Sequence, residues 1–339
     1  MIYGRMGSYF AYTGNPSKGM KYAESAFEEA RKIQDIDLMA PAAFELCTPT
    51  MGAGEFHKTV DIAVSVLNLI EQKKRQSDFF GQSMNVYSAL CGRCGACIAS
   101  LGNFNEAEAV LEKGLYNATA IGDLRSLAFV ELYFGHMFWI KGAWERAKEH
   151  YEICIKYSQE MNWPMALSLA WSGLGYACSF LGDQVTAGKN IEKGLKIQLD
   201  AGIGWWLSWH YVFLSAVRFN SGDLKGALGL IEKALQISQK NAAKWMEGQS
   251  LIWMGRIVDR SDPSRKDKAE QDILRGINIL EKLELKPFYT LGRFFLGEFY
   301  LDAGQREKAA ESLKKADGMF QEMGMDYWSD RTKEVMQRL

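Results

Sequence analysis

The chain has no excess of either charge: 40 lysines and arginines stand against 41 aspartates and glutamates, a net charge of −1. A polyanionic backbone is held mainly by clustered positive charge, so nothing here favours a nucleic acid as the main partner. No apolar run reaches the roughly 18 residues that a membrane span needs, and the N-terminus lacks a basic stretch followed by an apolar one. The expectation is a cytoplasmic protein with no membrane partner.

Catalytic and metal-binding patterns are equally thin. The four histidines, His57, His136, His150 and His210, are spread along the chain with no HExxH spacing and no paired carboxylates at matching offsets. Cys91, Cys94 and Cys97 in CGRCGAC imitate the start of an iron–sulfur ligand run, but Leu101 stands where the fourth ligand would fall. Residues three apart on one helix rotate too far to converge on a cluster. Buried free thiols are therefore the reading for these three and for Cys47, Cys154 and Cys178. GAGEFHKT, residues 52–59, nearly matches a P-loop, yet His57 replaces the glycine that lets backbone N–H groups wrap phosphate. Lys58 then reads as a solvated residue on a helix. No catalytic residue, cofactor or metal is expected.

What the chain has in quantity is glycine, 32 residues, and its placement follows a period. Gly14, Gly54, Gly102, Gly142, Gly182, Gly222, Asp262 and Gly304 are separated in turn by 40, 48, 40, 40, 40, 40 and 42 residues. Seven residues before each comes a small residue: Gly7, Cys47, Gly95, Gly135, Gly175, Ser215, Gly255 and Gly297. Five after each comes Gly19, Thr59, Ala107, Ala147, Ala187, Ala227 and Ala309, with Ala269 reached after a two-residue insertion. The pattern, clearest in residues 166–202, is that of a tetratricopeptide-type helix–turn–helix. It predicts an all-α fold, a tetratricopeptide-like α-solenoid of about eight 40-residue units plus a C-terminal capping helix. Length alone would suggest two domains. A solenoid grows by stacking, so residues 1–339 read as one continuous array.

Irregularities mark the ends and one interior point. Met1 falls six residues before Gly7, inside a first helix with no cap ahead of it, so more repeats or another domain are expected to precede it in a longer parent chain. The apolar opening, Met1 to Tyr12, offers a surface for self-association. The second unit, read from Pro41 to Lys74, is the weakest, and residues 71–85 hold the extra length of the 48-residue spacing as a bend or longer loop. Later second helices are expected to stop at Gly122, Asn162, Gly202 and Asn241. Aromatic residues follow the stops, at Trp163, Trp205, Trp206, Trp245, Phe288, Tyr327 and Trp328, and should pack in the seam between one unit and the next. Trp328, Thr332, Val335, Met336 and Leu339 share one face of the capping helix.

Counting from each small position, the side chains expected on the concave face are Phe129, His136 and Trp139; Tyr176 and Phe180; Trp209 and Phe219; and Arg256, Arg260 and Arg293. An aromatic floor beside an arginine cluster suits a peptide or helix with an acidic end. The plain alternative is that the rings complete packing between helices.

Three stretches carry a resemblance: GIGWWLSWHYVFLSAVRFNSGDLKGALGLIEKALQIS, KWMEGQSLIWMGRIV and GRFFLGEFYLDAGQREKAAESLKKADGMFQEMGMDYW. Together they resemble the C-terminal repeat array of bacterial multidomain signalling proteins. In those, a class III nucleotide cyclase or regulator domain precedes an AAA/STAND-type ATPase and then the repeats. The cyclase and ATPase signatures themselves are absent, so no catalytic residue carries over. The resemblance implies a sensor or partner-binding arm, with ATPase or cyclase domains of a parent chain as further partners. The functional expectation is a protein or peptide partner in the groove. A free-standing, self-associating scaffold is the alternative, and a small-molecule-binding or hydrolytic enzyme the remoter one.

Overall fold

The computed structural model describes residues 2–339; Met1 lies outside the described residues. Seventeen α-helices run through them, with no strand among the described residues. α1 (Ile2–Tyr12) and α2 (Pro16–Ile33), α3 (Ile36–Ala53) and α4 (Phe56–Gln72), α5 (Val86–Leu101) and α6 (Phe104–Ile121), and α7 (Leu124–Lys141) and α8 (Trp144–Glu160) form the first four units. α9 (Pro164–Phe180) and α10 (Gln184–Asp200), α11 (Leu207–Asn220) and α12 (Leu224–Lys240), α13 (Lys244–Ser261) and α14 (Lys266–Lys282), and α15 (Lys286–Asp302) and α16 (Arg306–Met323) form the next four, and α17 (Asp326–Met336) follows. Helices pack chiefly against their neighbours in the chain, as in a tetratricopeptide-like solenoid.

The period has a geometric cause at two points in each unit. At the turns, all seven glycines hold a left-handed backbone, with φ between 75° and 100°, which costs any residue with a β-carbon. Asp262 does not adopt it: its φ is −147°, and a 3₁₀ turn over Pro263–Arg265 absorbs the two inserted residues instead. At the small positions two helices touch. A β-carbon on Gly135 would lie 2.7 Å from the Tyr151 ring.

Two boundaries differ from the sequence reading. α12 stops one residue later than expected: Asn241 has φ −88° and Ala242 takes the left-handed conformation at 53°. The Ala243 N–H bonds back to the Ser238 carbonyl at 2.9 Å, so the packed terminus fixes the stopping residue and overrides its intrinsic preference. The second unit opens before Pro41. Asp35 caps α3 by accepting from the Asp37 N–H at 2.9 Å, and the helix runs through both Pro41 and Pro49. The chain from Lys73 to Asn85 is held by Arg75, which pairs with Asp37 at 2.7 Å and Asp78 at 2.6 Å.

The winding of the array governs everything inside it. Turn one reaches the start of α11, where the N–H groups of Gly204 and Trp205 both donate to the Tyr12 carbonyl, at 2.7 and 3.1 Å. Turn two lies under Trp245, with the Phe56 and Trp245 rings 5.6 Å apart, and His57 pairs with Glu284 at 2.7 Å. Turn three meets Lys286 and Met323, and turn four meets Tyr327 and Trp328. Each of these four turns thus docks near the beginning of the unit five places further along, so that successive superhelical turns touch. The seam aromatics from Trp205 onward do more than join adjacent units.

This contact between superhelical turns divides the two helices of each unit. α7 buries 14 of its 18 residues, because it meets neighbours in its own layer and on the facing superhelical turn. α8 buries six of 17, a single stripe against the inner layer.

Gly142 and Gly182 separate backbone strain from docking. Both are left-handed, at 85° and 94°, but a β-carbon on Gly142 would sit 3.1 Å from the Trp328 ring, whereas one on Gly182 would meet nothing within 4 Å. Gly182→Ala is expected to cost about 1 kcal/mol and Gly142→Ala roughly 2–3 kcal/mol, the difference being the displaced seam. Urea melts of the two variants check this; equal losses would mean that the seam contributes nothing.

Candidate partner-binding surface

The inner face of the first helices carries the expected rings, but most of them do not line an open groove. His136 and Trp139 lie 4.9 Å apart, Trp139 is 5.9 Å from Trp209 and 6.2 Å from Tyr176, and Tyr176 stacks on Phe213 at 3.9 Å. Across the seam Trp139 also meets Phe288 at 5.9 Å. Trp209 is 1% exposed, Phe129 1%, His136 3%, Tyr176 5% and Trp139 6%. The space left among Trp139, Tyr176, Phe213 and Phe288 is about 30 Å³, the room of a single water. These five residues face inward as their spacing required, and the tight winding turns that surface into core.

The interior opens between the first helices of units five to eight and α17. A cavity of about 350 Å³ is lined there by Phe180, Asn220, Trp253, Arg256, Phe295 and Arg331, among others. Phe180 stacks on Trp144 at 4.0 Å and keeps one side toward the cavity. The guanidinium of Arg256 lies 3.6 Å from the Phe295 ring centroid, 4.7 Å from Trp253 and 5.2 Å from Phe219. Its Nη2 donates to Glu298 Oε2 at 3.0 Å. Burial pulls its pKa below the usual arginine value, and the Glu298 carboxylate opposes that shift. Three ring faces and one carboxylate therefore hold a largely buried cation in a fixed plane at the cavity wall.

Two other expected positions behave differently. Arg260 lies further out, in a smaller recess with Phe219 and Arg256, and pairs with Asp302 at 3.5 Å. Arg293 is a correction. It sits two residues before Phe295 on α15, which turns it away from the concave face, and it pairs with Glu281 at the end of α14. The arginine cluster is thus neutralised in place by Glu298 and Asp302. A partner meets a polar, nearly balanced surface.

Several buried polar groups lie away from this surface. His210 Nε2 is 2.8 Å from Gln198 Oε1 and its Nδ1 is 2.6 Å from Ser172 Oγ, in a network that also takes in Ser168 and the Trp205 carbonyl. Ser172, Gln198 and His210 are all fully buried, so the network ties α9, α10 and α11 together and reaches no substrate. Arg93 is a buried cation that charge counting missed. It donates to the Phe44 carbonyl and lies 4.4 Å from the Phe44 ring and 5.3 Å from Phe129. Its only sequence signal is a lone charge among the small residues of CGRCGAC. All six cysteines are free and buried, and burial pushes the Cys47, Cys94 and Cys154 thiols up to about 12. Among the described residues no group of three or more His, Cys, Asp and Glu could hold a metal, and no helix is long and apolar enough to cross a membrane.

The buried histidines set a pH dependence. Burial lowers His136 and His210 from 6.5 to about 3, so the folded chain leaves both neutral while the unfolded chain protonates them below 6.5. Their stabilisation is complete above pH 6.5 and is lost as pH falls toward 3. Each contributes up to about 1.4 kcal/mol per pH unit in that window. Between pH 7 and 5.5 the chain is expected to lose about 2–3 kcal/mol, and His136→Leu to flatten the slope by about half. Urea midpoints measured across this range are the check, and a flat profile would contradict neutral burial.

The sequence matches no family model and no curated protein. Among solved structures it is similar to a Rap protein complexed with Competence and Sporulation Factor, with a TM-score of 0.63 and 11% identity over 99% of this chain and 96% of that one. NprR in complex with its cognate peptide NprX aligns with a TM-score of 0.60 and 12% identity over 84% and 83%. Aspartyl phosphate phosphatase F from Bacillus subtilis aligns with a TM-score of 0.58 and 13% identity over 86% and 73%. At such identities the likeness establishes the fold, a tetratricopeptide-like helical-repeat solenoid.

Proposed function

We propose that the chain is a helical-repeat module that binds a peptide or protein partner, and that the partner enters the cavity between units five to eight and α17. One observation carries this reading. Around Trp139 and Tyr176 the rings leave only about 30 Å³, yet here about 350 Å³ stay open beside a cation fixed by three rings. Phe180 and Trp253 offer ring surface, Arg256 and Arg331 offer donors, and Asn220 can bond a peptide backbone. An acidic side chain or a terminal carboxylate would exchange with Glu298 for Arg256. Two of the structural neighbours carry a peptide or a named factor in their complexes, which supports the partner class. The phosphatase among them shares only the fold, and binding without catalysis is the reading proposed for this chain.

As to context, the residues from Gly202 onward favour a sensor arm of a multidomain bacterial signalling protein, with ATPase or cyclase domains in the same parent. The DNA sequence just upstream of Met1 tests that: an open frame encoding an ATPase supports it, and an immediate stop favours a free-standing scaffold.

The cavity is tested by filling it. Asn220 is exposed at its edge, so Asn220→Trp should leave the fold intact and abolish capture of the partner that the parent chain retains from a cell lysate. Phe180→Ala removes a central ring, which typically costs about 2 kcal/mol, or roughly 30-fold in affinity. Trp139→Ala should act otherwise, losing about 3–5 kcal/mol of stability because Trp139 is core. Folded Asn220→Trp that binds the same partner with parental affinity would reject the cavity.

A further inference from the structure

In this chain a glycine turn is covered by the start of a helix five units later. Turns one to four receive Trp205 with Asn241, Trp245, Lys286 with Met323, and Trp328 with Tyr327. Turn five, at Gly182, has the same left-handed glycine, and a β-carbon there would meet nothing within 4 Å among the described residues. Its surface is not finished for solvent. Leu181 is 39% and Val185 69% exposed on either side of it. Turn six has the same aspartate cap, Asp223 accepting from the Gly226 N–H at 2.9 Å as Asp183 accepts from the Thr186 N–H at 3.0 Å, but it sets exposed Ser221 and Lys225 where turn five has Leu181 and Val185. Turn five also adjoins the covered part of the seam, since the Phe180 ring lies 5.9 Å from Tyr327 and 5.6 Å from Trp328.

We infer that turn five is the docking point for an aromatic side chain of the partner, which continues the seam beside α17. The inference rests on the cavity as the partner site and adds what the partner must carry. That partner is a segment with Trp, Tyr or Phe at the start of a helix or turn, laid over Gly182 between Leu181 and Val185. Its following polar residues reach Asn220 and Arg331. Continuity with the four occupied turns argues for this occupant: a ring sits on two of them, the left-handed glycine leaves room for one, and Phe180 at the junction already contacts two rings of the neighbouring position.

The probe is this chain's own seam segment supplied in trans, a fluorescently labelled peptide of residues 324–339, titrated into the full chain by anisotropy. The peptide should bind the parent and weaken about tenfold or more when its Tyr327 and Trp328 are alanine. The same loss is expected when Leu181 and Val185 of the chain are both aspartate, positions exposed enough to leave the fold intact by circular dichroism. Absence of binding up to about 1 mM, or binding that Leu181→Asp with Val185→Asp leaves unchanged, overturns the inference. Concentration-dependent dimers abolished by the same pair would make a second copy the occupant and also overturn it. A lysate partner lost in Asn220→Trp but kept in the aspartate pair would reject turn five while leaving the cavity reading intact.

Discussion

A glycine turn pressed against a large side chain from five units further along sets the pitch of this molecule. The approach is close because no β-carbon intervenes: one added to Gly54 would lie 3.1 Å from the Trp245 ring, and one on Gly52 3.1 Å from the Trp205 indole. Apart from the bonds to the Tyr12 carbonyl at turn one and the His57–Glu284 pair at turn two, the contact is one of area and dispersion. The indole N–H groups of Trp205, Trp206, Trp209 and Trp245 find no acceptor among the described residues, so shape and burial hold the seam, at some cost in unsatisfied donors. With the pitch fixed this small, the inner faces of opposite units meet across the axis. Core and concave surface become the same residues.

The repeat was legible because its cause is local. A left-handed turn and a helix crossing each demand a small side chain, and those demands recur wherever a unit recurs. The winding was not legible in the same way, because it depends on residues nearly 200 positions apart, Tyr12 against Gly204 and Trp205. Yet it left a trace. First helices of units two to four begin with polar caps, Asp35, Asn85 and Asp123, whose side chains accept from backbone N–H groups. From unit five on the starts turn aromatic or aliphatic, and Trp163, Trp206, Leu285 and Met325 cap without any side-chain hydrogen bond. The starts that dock on an earlier turn, at Trp206, Leu285 and Met325, present apolar surface in place of an oxygen acceptor.

For the site, helical spacing predicted direction well and exposure poorly. Phe129, His136, Trp139, Tyr176 and Trp209 point inward, as counting from the small positions requires, but their accessibility is a property of the pitch. Arg256 and Arg293 make the same point from the other side. Both lie near a small position on a first helix, yet Arg256 is in register with Trp253 and Arg260 on the concave face, while Arg293 falls a half-turn off and finds Glu281. Arg256 comes one residue after Gly255 and Arg293 four before Gly297, a phase difference of about 140° around the helix that separates a candidate binding residue from an intramolecular ion pair.

The ion pairs also limit what the cavity can select. Arg256 is already matched to Glu298, Arg260 to Asp302, and Asp302 is shared with Arg338 at 3.2 Å. A strongly acidic partner gains little from the overall field, because the cations are compensated before it arrives. What it can gain is exchange: Arg256 is held by three ring faces whatever carboxylate it meets, so a partner oxygen can replace Glu298 without moving the guanidinium. Glu298 must then turn back toward water, which its half-buried position on the cavity wall permits. A partner without a carboxylate leaves that pair intact and binds by ring contact alone. On the proposed reading, discrimination would come from the geometry of one replaced hydrogen bond, with ring contact supplying the apolar share of the affinity.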